Sequence, residues 1–188
     1  MCSMKVLTTK LAGIKLIEPV VHGDNRGFFI ESYNQETFNK HGIHTVFVQD
    51  NHSLSAEAGV LRGLHYQLNP AAQTKLLRVI SGEIFDVVVD IRRNSPTFGQ
   101  WEGFVLSADN KRQLLVPQGF AHGFCTQVAN TQVQYKVDSY YSPEHDRGIA
   151  WNDPALAIDW PTATPILSKK DGKHPLLAEA NINFVYEG

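Results

Sequence analysis

From residue 83 to residue 92 the chain alternates. Phe85, Val87, Val89 and Ile91 fall on one side, and Ile84, Asp86, Val88, Asp90 and Arg92 on the other. A period of two carried by β-branched residues predicts a strand, here with one apolar and one mixed face. Residues 75–80 (KLLRVI) form a second strand, and Ser81-Gly82 supplies a short hairpin turn between them. The same pattern predicts strands over 13–21, 27–33, 45–49, 60–67, 101–107, 113–116, 122–128 and 132–140. Turn residues punctuate them, among them Gly23-Asp24-Asn25, Asn69-Pro70, Asn94-Ser95-Pro96, Pro117-Gln118-Gly119 and Ala129-Asn130. Helical signals are confined to 35–40 and 175–180, where Pro175 suits a first helical turn. Many short strands at near-regular spacing predict one all-β domain over residues 1–188, a sandwich, jelly roll or barrel with a small helical end.

Composition narrows the class. The chain has 188 residues and is 43% hydrophobic, which excludes a disordered tail. A chain of this length buries roughly 70% of its unfolded surface, enough for a core without staples. Seventeen Lys+Arg against nineteen Asp+Glu give a net charge of −2, with no like-charge block longer than Arg92-Arg93 or Lys169-Lys170. That argues against a nucleic-acid partner held by a basic face. Only Cys2 and Cys125 are present, so no disulfide framework is expected and a reducing compartment is the natural setting. Lys5, Lys10 and Lys15 interrupt every apolar run at the N-terminus, and no run approaches the roughly 18 residues of a membrane helix. The expectation is a cytoplasmic protein.

Several polar residues sit where strands should be apolar: Arg62, His65, Lys75, His122 and Tyr135, with Asp171 further on. A strand position that turns into a barrel lumen is apolar unless something polar binds there. Taken singly, each residue points outward to water at least as readily. A lone His is more often a hydrogen-bonded core residue than a catalyst, and a strand-end Lys is usually a solubility device. Taken together, their recurrence beside strongly apolar neighbours favours the lumen. Arg62 and His65 cannot share a face by strict alternation. Gly63 between them marks a candidate bulge that re-aims both.

Pro117-Gln118-Gly119-Phe120-Ala121-His122 resembles the second motif of the cupin superfamily, Pro-x-Gly-x-x-His, and the resemblance implies a small jelly-roll barrel. The superfamily's first motif brings two His, one apart, and then a Glu. Here the matching stretch is His65-Tyr66-Gln67, and Leu68 to Thr74 contain no carboxylate. Two His without a carboxylate beside the Lys75 ammonium make a poor divalent site, so no metal is expected.

Longer motifs then identify a family. Gly23-Asp24-Asn25-Arg26-Gly27-Phe28-Phe29, Phe47-Val48-Gln49-Asp50-Asn51-His52-Ser53 and Leu61-Arg62-Gly63-Leu64-His65-Tyr66-Gln67 resemble the dTDP-4-dehydrorhamnose 3,5-epimerases. So do Gly82 to Val87, Ser95 to Gly99, Pro117 to Phe124, Tyr135-Lys136, Tyr140-Tyr141-Ser142-Pro143, Trp151-Asn152-Asp153 and Leu167 to Asp171. The likeness runs from about residue 15 to residue 177.

The resemblance implies a dTDP-linked 4-keto-6-deoxyhexose substrate whose C4 carbonyl acidifies the protons on C3 and C5. It implies His65 as base, Asp171 as the carboxylate that orients it, Tyr135 as proton donor from the opposite ring face and Lys75 as stabiliser of the enolate oxygen. An imidazole suits a base at neutral pH, and a phenol is acid enough to quench an enolate carbon. Arg26, Arg62 and Lys170 match positions near the diphosphate or sugar, and Arg forms bidentate phosphate contacts. Glu31, Gln49 and Asn51 match the nucleotide end, and Asp50 and Asp146 are further substrate-binding positions. Phe28 and Tyr140 are candidates for stacking on thymine. His122 matches a second histidine beside the sugar, with a packed structural role of equal weight. The chain departs from the family at Asp146, where Glu is usual, and at Thr74, where Gly is common.

No cofactor is implied, and no Gly-x-Gly-x-x-Gly turn is present. The resemblance also implies a homodimer in which the N-terminal strand region, residues 1–33, builds on the partner's sheet. Three other readings stand beside the 3,5-epimerase. They are a mono-epimerase or ketoisomerase of another dTDP-deoxysugar route, a nucleotide-sugar-binding cupin without catalysis, and a metal-dependent cupin enzyme.

Overall fold

The alternating segments pair into two antiparallel sheets that face one another. The computed structural model describes residues 3–188. Cys2, and with it the reading of that residue as unpaired, lies outside the described residues; Cys125 is buried and free. In chain order the elements are β1 (Lys5–Thr8), β2 (Lys15–Glu18), β3 (Val21–Asp24), β4 (Gly27–Ile30), α1 (Gln35–Lys40), β5 (Gln49–Ser55), β6 (Leu61–Gln67), β7 (Lys75–Ser81), β8 (Glu83–Asp90), β9 (Trp101–Ser107), β10 (Gln113–Val116), β11 (Phe120–Thr126), β12 (Thr131–Val137) and β13 (Asp146–Gly148). Two 3-10 turns follow, Asp171–Lys173 and Leu177–Glu179. Among the described residues no helix is long and apolar enough to cross a membrane.

One sheet has the order β1-β2-β10-β7-β12-β5, the other β13-β6-β11-β8-β9, and β3 and β4 form a separate hairpin. This is a cupin-like jelly roll. Between the sheets, Leu77, Val79, Leu114, Val116 and Val133 meet Ile84, Val88, Phe104, Leu106, Phe120 and Phe124. The outer face of the five-stranded sheet is also buried. Leu61, Leu64, Tyr66, Val87, Val89 and Ala121 pack beneath Leu156, Trp160, Ile182 and Phe184 of the C-terminal segment. Both faces of β8 are therefore out of water, which is why its sequence is apolar on one side and only partly polar on the other.

A third cluster covers the back of the six-stranded sheet, where Ile17, Leu76 and Leu115 meet Met4, Phe38 and Ile43. Helix α1 brings Phe38 there. The Asn34 side chain accepts from the N–H groups of Glu36 and Thr37 at 3.0 and 3.2 Å and so caps the helix start. Burying one such phenyl ring stabilises the fold by about 1.5–3 kcal/mol.

Some elements differ from the sequence pattern. The strand predicted over 13–21 breaks at Pro19 into β2 and β3, since proline lacks the N–H a ladder needs. The strand predicted over 45–49 instead begins at Gln49 and ends at Ser55. Its inward residues Gln49, Asn51 and Ser53 are polar, so no apolar alternation marked it. The predicted helix over 175–180 is only the 3-10 turn Leu177–Glu179.

Candidate active site

Strand β6 supplies the first two side chains of the site. Opposite β11, His65 pairs with His122 while Arg62 pairs with Phe124, so β6 carries one extra residue between them. This bulge puts Arg62 and His65 on one face, as the Gly63 signal predicts. Gly63 has φ +134°, and a Cβ on it would approach Cα of Gly123 at 2.5 Å. Only glycine fits that crossing.

His65, His122, Arg62 and Phe124 from one sheet face Ser53, Lys75 and Tyr135 from the other. With Ser168, Lys170 and Asp171 they line a cavity of about 250 Å³. A second recess, about 240 Å³, adds Gln67, Gln73, Tyr141 and Asp146, sharing His65, Lys75, Tyr135 and Lys170 with the first. His65 and Tyr135 therefore enter one space from opposing sheets. Lys75 is no exposed strand-end lysine, because its side chain lines both recesses.

Each histidine has its own carboxylate. The His65 Nε2 donates to Asp171 Oδ1 at 2.5 Å. The other oxygen, Oδ2, accepts from Ser168 Oγ at 2.8 Å, and Ser168 Oγ in turn accepts from the Asp171 N–H at 3.0 Å. Burial works to raise the Asp171 pKa, but the bonds and charges of His65, Ser168 and His174 outweigh it and hold it below the usual range. Across the strand pair, His122 Nε2 donates to Asp86 Oδ2 at 2.8 Å. Asp86 is fully buried and its Oδ1 has no partner among the described residues. Burial pushes its pKa up, against the pull of His122 and Lys75.

Burial lowers the Lys75 pKa to about 8, against the carboxylates of Asp146 and Asp86, which raise it. Burial raises the Tyr135 pKa, so the phenol holds its proton at neutral pH. Arg62 is steadied by Ser55 Oγ at 3.3 Å and the Leu54 carbonyl at 3.2 Å. Lys170 pairs with Asp146, whose Oδ2 also accepts from Tyr141 OH at 2.9 Å. Aspartate thus reaches both partners at this position. Gln67, at the second cupin ligand position, is committed elsewhere. Its amide donates to the carbonyls of Ala71 and Tyr140, and its Oε1 accepts from the Ser142 N–H.

Not every predicted residue arrives. Asp50 lies on the outward face of β5, where Lys136 Nζ donates to it at 2.9 Å. Gln49 and Asn51 face inward and bond each other at 2.9 Å. Tyr140 is exposed at the rim and lines neither recess. Arg26 and Phe28 sit on the β3–β4 hairpin in a separate shallow pocket, and Glu31 lies in another beside α1. Within one chain none of these three lines either recess.

The sequence reading missed Ser53, Phe124, Asp86, Ser168 and His174. The Ser53 Oγ is buried beside the cavity without a partner among the described residues, as a ligand-facing hydroxyl is. Asp86 did carry a signal, a carboxylate in phase with Ile84 and Val88.

The family model described as dTDP-4-dehydrorhamnose 3,5-epimerase matches residues 8–179. A protein of that name from Salmonella typhimurium is 54% identical over 179 residues, 94% of this chain and 97% of its own length. A crystal structure of a Bacillus anthracis dTDP-4-dehydrorhamnose 3,5-epimerase with TDP and PPi bound is 60% identical with a TM-score of 0.91, over 93% of this chain and 99% of that one. A Legionella pneumophila dTDP-6-deoxy-D-glucose-3,5-epimerase in complex with dTDP-4-keto-L-rhamnose is 47% identical with a TM-score of 0.94, over 98% and 100%. The two-sheet fold and the conjunction of histidine, carboxylate, phenol and lysine in one cavity agree with these likenesses: the chain belongs to the dTDP-4-dehydrorhamnose 3,5-epimerase family.

Proposed function

We propose that this protein inverts C3 and C5 of dTDP-4-dehydro-6-deoxy-D-glucose to give dTDP-4-dehydro-L-rhamnose, a step of dTDP-L-rhamnose synthesis. The observation that carries the reading is the entry of His65 and Tyr135 into one cavity from opposing sheets, with Lys75 lining the same cavity. Inversion needs a base on one ring face and an acid on the other, and it needs charge at the carbonyl oxygen.

His65 removes the proton from C3 or C5. Its Nε2 is held by Asp171, so Nδ1 is the nitrogen left for the substrate. The ionised Asp171 fixes that tautomer and stabilises the imidazolium once it forms. The electron pair moves onto the C4 oxygen, where the Lys75 ammonium offsets the enolate charge. Removing one such donor typically costs about 2.7–4 kcal/mol of barrier. Tyr135, kept protonated by burial, delivers a proton to the opposite face. The same four groups serve both carbons when the sugar re-seats between steps.

Arg62 and Lys170 then face the diphosphate or sugar, with Gln49 and Asn51 toward the nucleotide. Arg26, Phe28 and Glu31 belong to this reading only in a homodimer. Phe28 and Phe29 are 61% and 69% exposed on a two-stranded hairpin that joins neither main sheet, which supports its use on a partner subunit. In this reading residues 1–188 work as one domain, with 1–33 serving the dimer. The free Cys125 suits a reducing, cytoplasmic setting.

Incubation with the 4-keto sugar nucleotide in D₂O tests the proposal. Deuterium is expected at both C3 and C5. Label at one carbon selects a mono-epimerase, and binding without label selects a non-catalytic binder.

A further inference from the structure

Asp171 is shared by two imidazoles. His65 Nε2 lies 2.5 Å from its Oδ1, and His174 Nε2 lies 3.4 Å from the same oxygen. The two rings meet edge to face, with centroids 5.5 Å apart. The His174 side chain is only 8% exposed, yet its Nε2 has no hydrogen-bond partner among the described residues. A buried ring nitrogen close to a carboxylate and left unbonded is an unsatisfied polar atom, and in the tautomer with the proton on Nδ1 it offers a lone pair. The ring is also seated deliberately. A Cβ on Gly148, which pairs with His65 across β13 and β6, would overlap it.

We propose that His65 Nε2, Asp171 Oδ1 and His174 Nε2 form an inhibitory site for a zinc-class divalent cation. One ligand atom from each of these three residues lies within 4.8 Å of the other two. A tetrahedral ion with bonds of about 2.0–2.1 Å sets its ligands roughly 3.4 Å apart. The Asp171–His174 separation already has that value, and the short His65–Asp171 contact must open to reach it. Asp171 Oδ2 stays on Ser168, the outer hydrogen bond that holds a ligating carboxylate in place. The His65 side chain is 31% exposed, which gives the ion a way in from the cavity and leaves a fourth position for water. Two imidazoles and one carboxylate suit zinc better than calcium or magnesium. The set shares only His65 with the cupin metal position, since His122 is turned to Asp86 and Gln67 is bonded elsewhere.

The ion takes the Nε2 lone pair of His65, and the proton formerly there moves to Nδ1. That nitrogen then carries a hydrogen and can accept none, so proton abstraction stops. Ion binding is independent of the epimerase reading, whereas its effect on turnover rests on it.

Isothermal titration of the tag-free protein with ZnCl₂ tests the binding. One ion per chain is expected, with affinity weakened at least tenfold in His174→Gln and unchanged in His52→Gln, a control on the exposed face of β5. Thermal unfolding checks that each variant is folded. Saturable binding that His174→Gln leaves intact, or its absence in the wild-type protein up to millimolar ZnCl₂, overturns the proposal. In the deuterium assay, micromolar ZnCl₂ should stop wild-type exchange and a chelator restore it, whereas the exchange rate of His174→Gln, whatever its zinc-free value, should be the same with and without that ZnCl₂ concentration. If the wild type binds zinc but shows no exchange without it, the epimerase reading fails and the site stands.

Discussion

Two His–Asp pairs face the same cavity from neighbouring strands, and their surroundings differ. His65–Asp171 lies at the open side, with the imidazole 31% exposed and the carboxylate accepting from both His65 and Ser168. His122–Asp86 lies deeper, with the imidazole 10% exposed, the carboxylate fully buried and one of its oxygens unpaired among the described residues. The chemistry is the same and the electrostatics are opposite. Hydrogen bonds hold the Asp171 pKa down, while desolvation raises that of Asp86. A carboxylate that is ionised and satisfied can stabilise an imidazolium that comes and goes. A desolvated one is better suited to setting the charge of the lumen.

This contrast is broken most directly by removing each pair in turn. His65→Asn is expected to lower kcat by at least about a thousandfold and abolish deuterium exchange, within the range for a lost general base. Asp171→Asn leaves a ring with no anion to stabilise its charged form, and a loss of similar order is expected. His122→Asn and Asp86→Asn should cost about ten- to a hundredfold, because neither group takes the substrate proton. Equal losses in the two pairs, read by single-turnover kinetics, would erase the distinction.

Lys75 connects the pairs and comes next in size. Lys75→Met is expected to lower kcat about 10²–10³-fold, the usual effect of losing one oxyanion donor. The charged form is the one that works here. With its pKa lowered to about 8, the ammonium is present below that pH and lost above it. The kcat profile should therefore fall with an alkaline limb near 8. Asp86 raises this pKa, so Asp86→Asn should move the limb to lower pH. A limb that stays in place would mean that Asp86 does not act on the lysine.

How far the sequence revealed this arrangement depended on where each residue's partner lies. The alternation of β8 was plain because both of its faces meet apolar neighbours, and the glycine between Arg62 and His65 announced the bulge that aligns them. Strand β5 was displaced in the reading because a strand lining a polar cavity has no apolar stripe to show. Ser168 and His174 were invisible because their roles exist only once the 3-10 turn at Asp171 folds back against β6. Asp50 falls one step of alternation from Gln49 and Asn51, which in a strand is the difference between the inward and outward faces. Arg26, Phe28 and Glu31 were legible as motif positions, but a motif does not say which subunit's cavity it serves.

The smallest expected effect sharpens the comparison at its root. Ser168→Ala removes the bond to Asp171 Oδ2 and leaves the His65 contact intact. If satisfied hydrogen bonds are what distinguish Asp171 from Asp86, this change makes the first carboxylate resemble the second. A hydrogen bond to a charged group is worth about 1.5–3 kcal/mol, so a stability loss at or below that range is expected, with a fall in kcat of about tenfold. The pH dependence gives the stricter reading. The Asp171 pKa is depressed in the folded chain, so its contribution to stability is present above the unfolded value and is lost as pH falls through the folded one. Without Ser168 Oγ the folded pKa rises toward the ordinary range. The thermal unfolding midpoint of the variant should then begin its acid decline at a higher pH than that of the wild-type protein. Parallel curves would show that Ser168 shapes the turn without tuning the carboxylate, and the difference between the two pairs would have to come from burial alone.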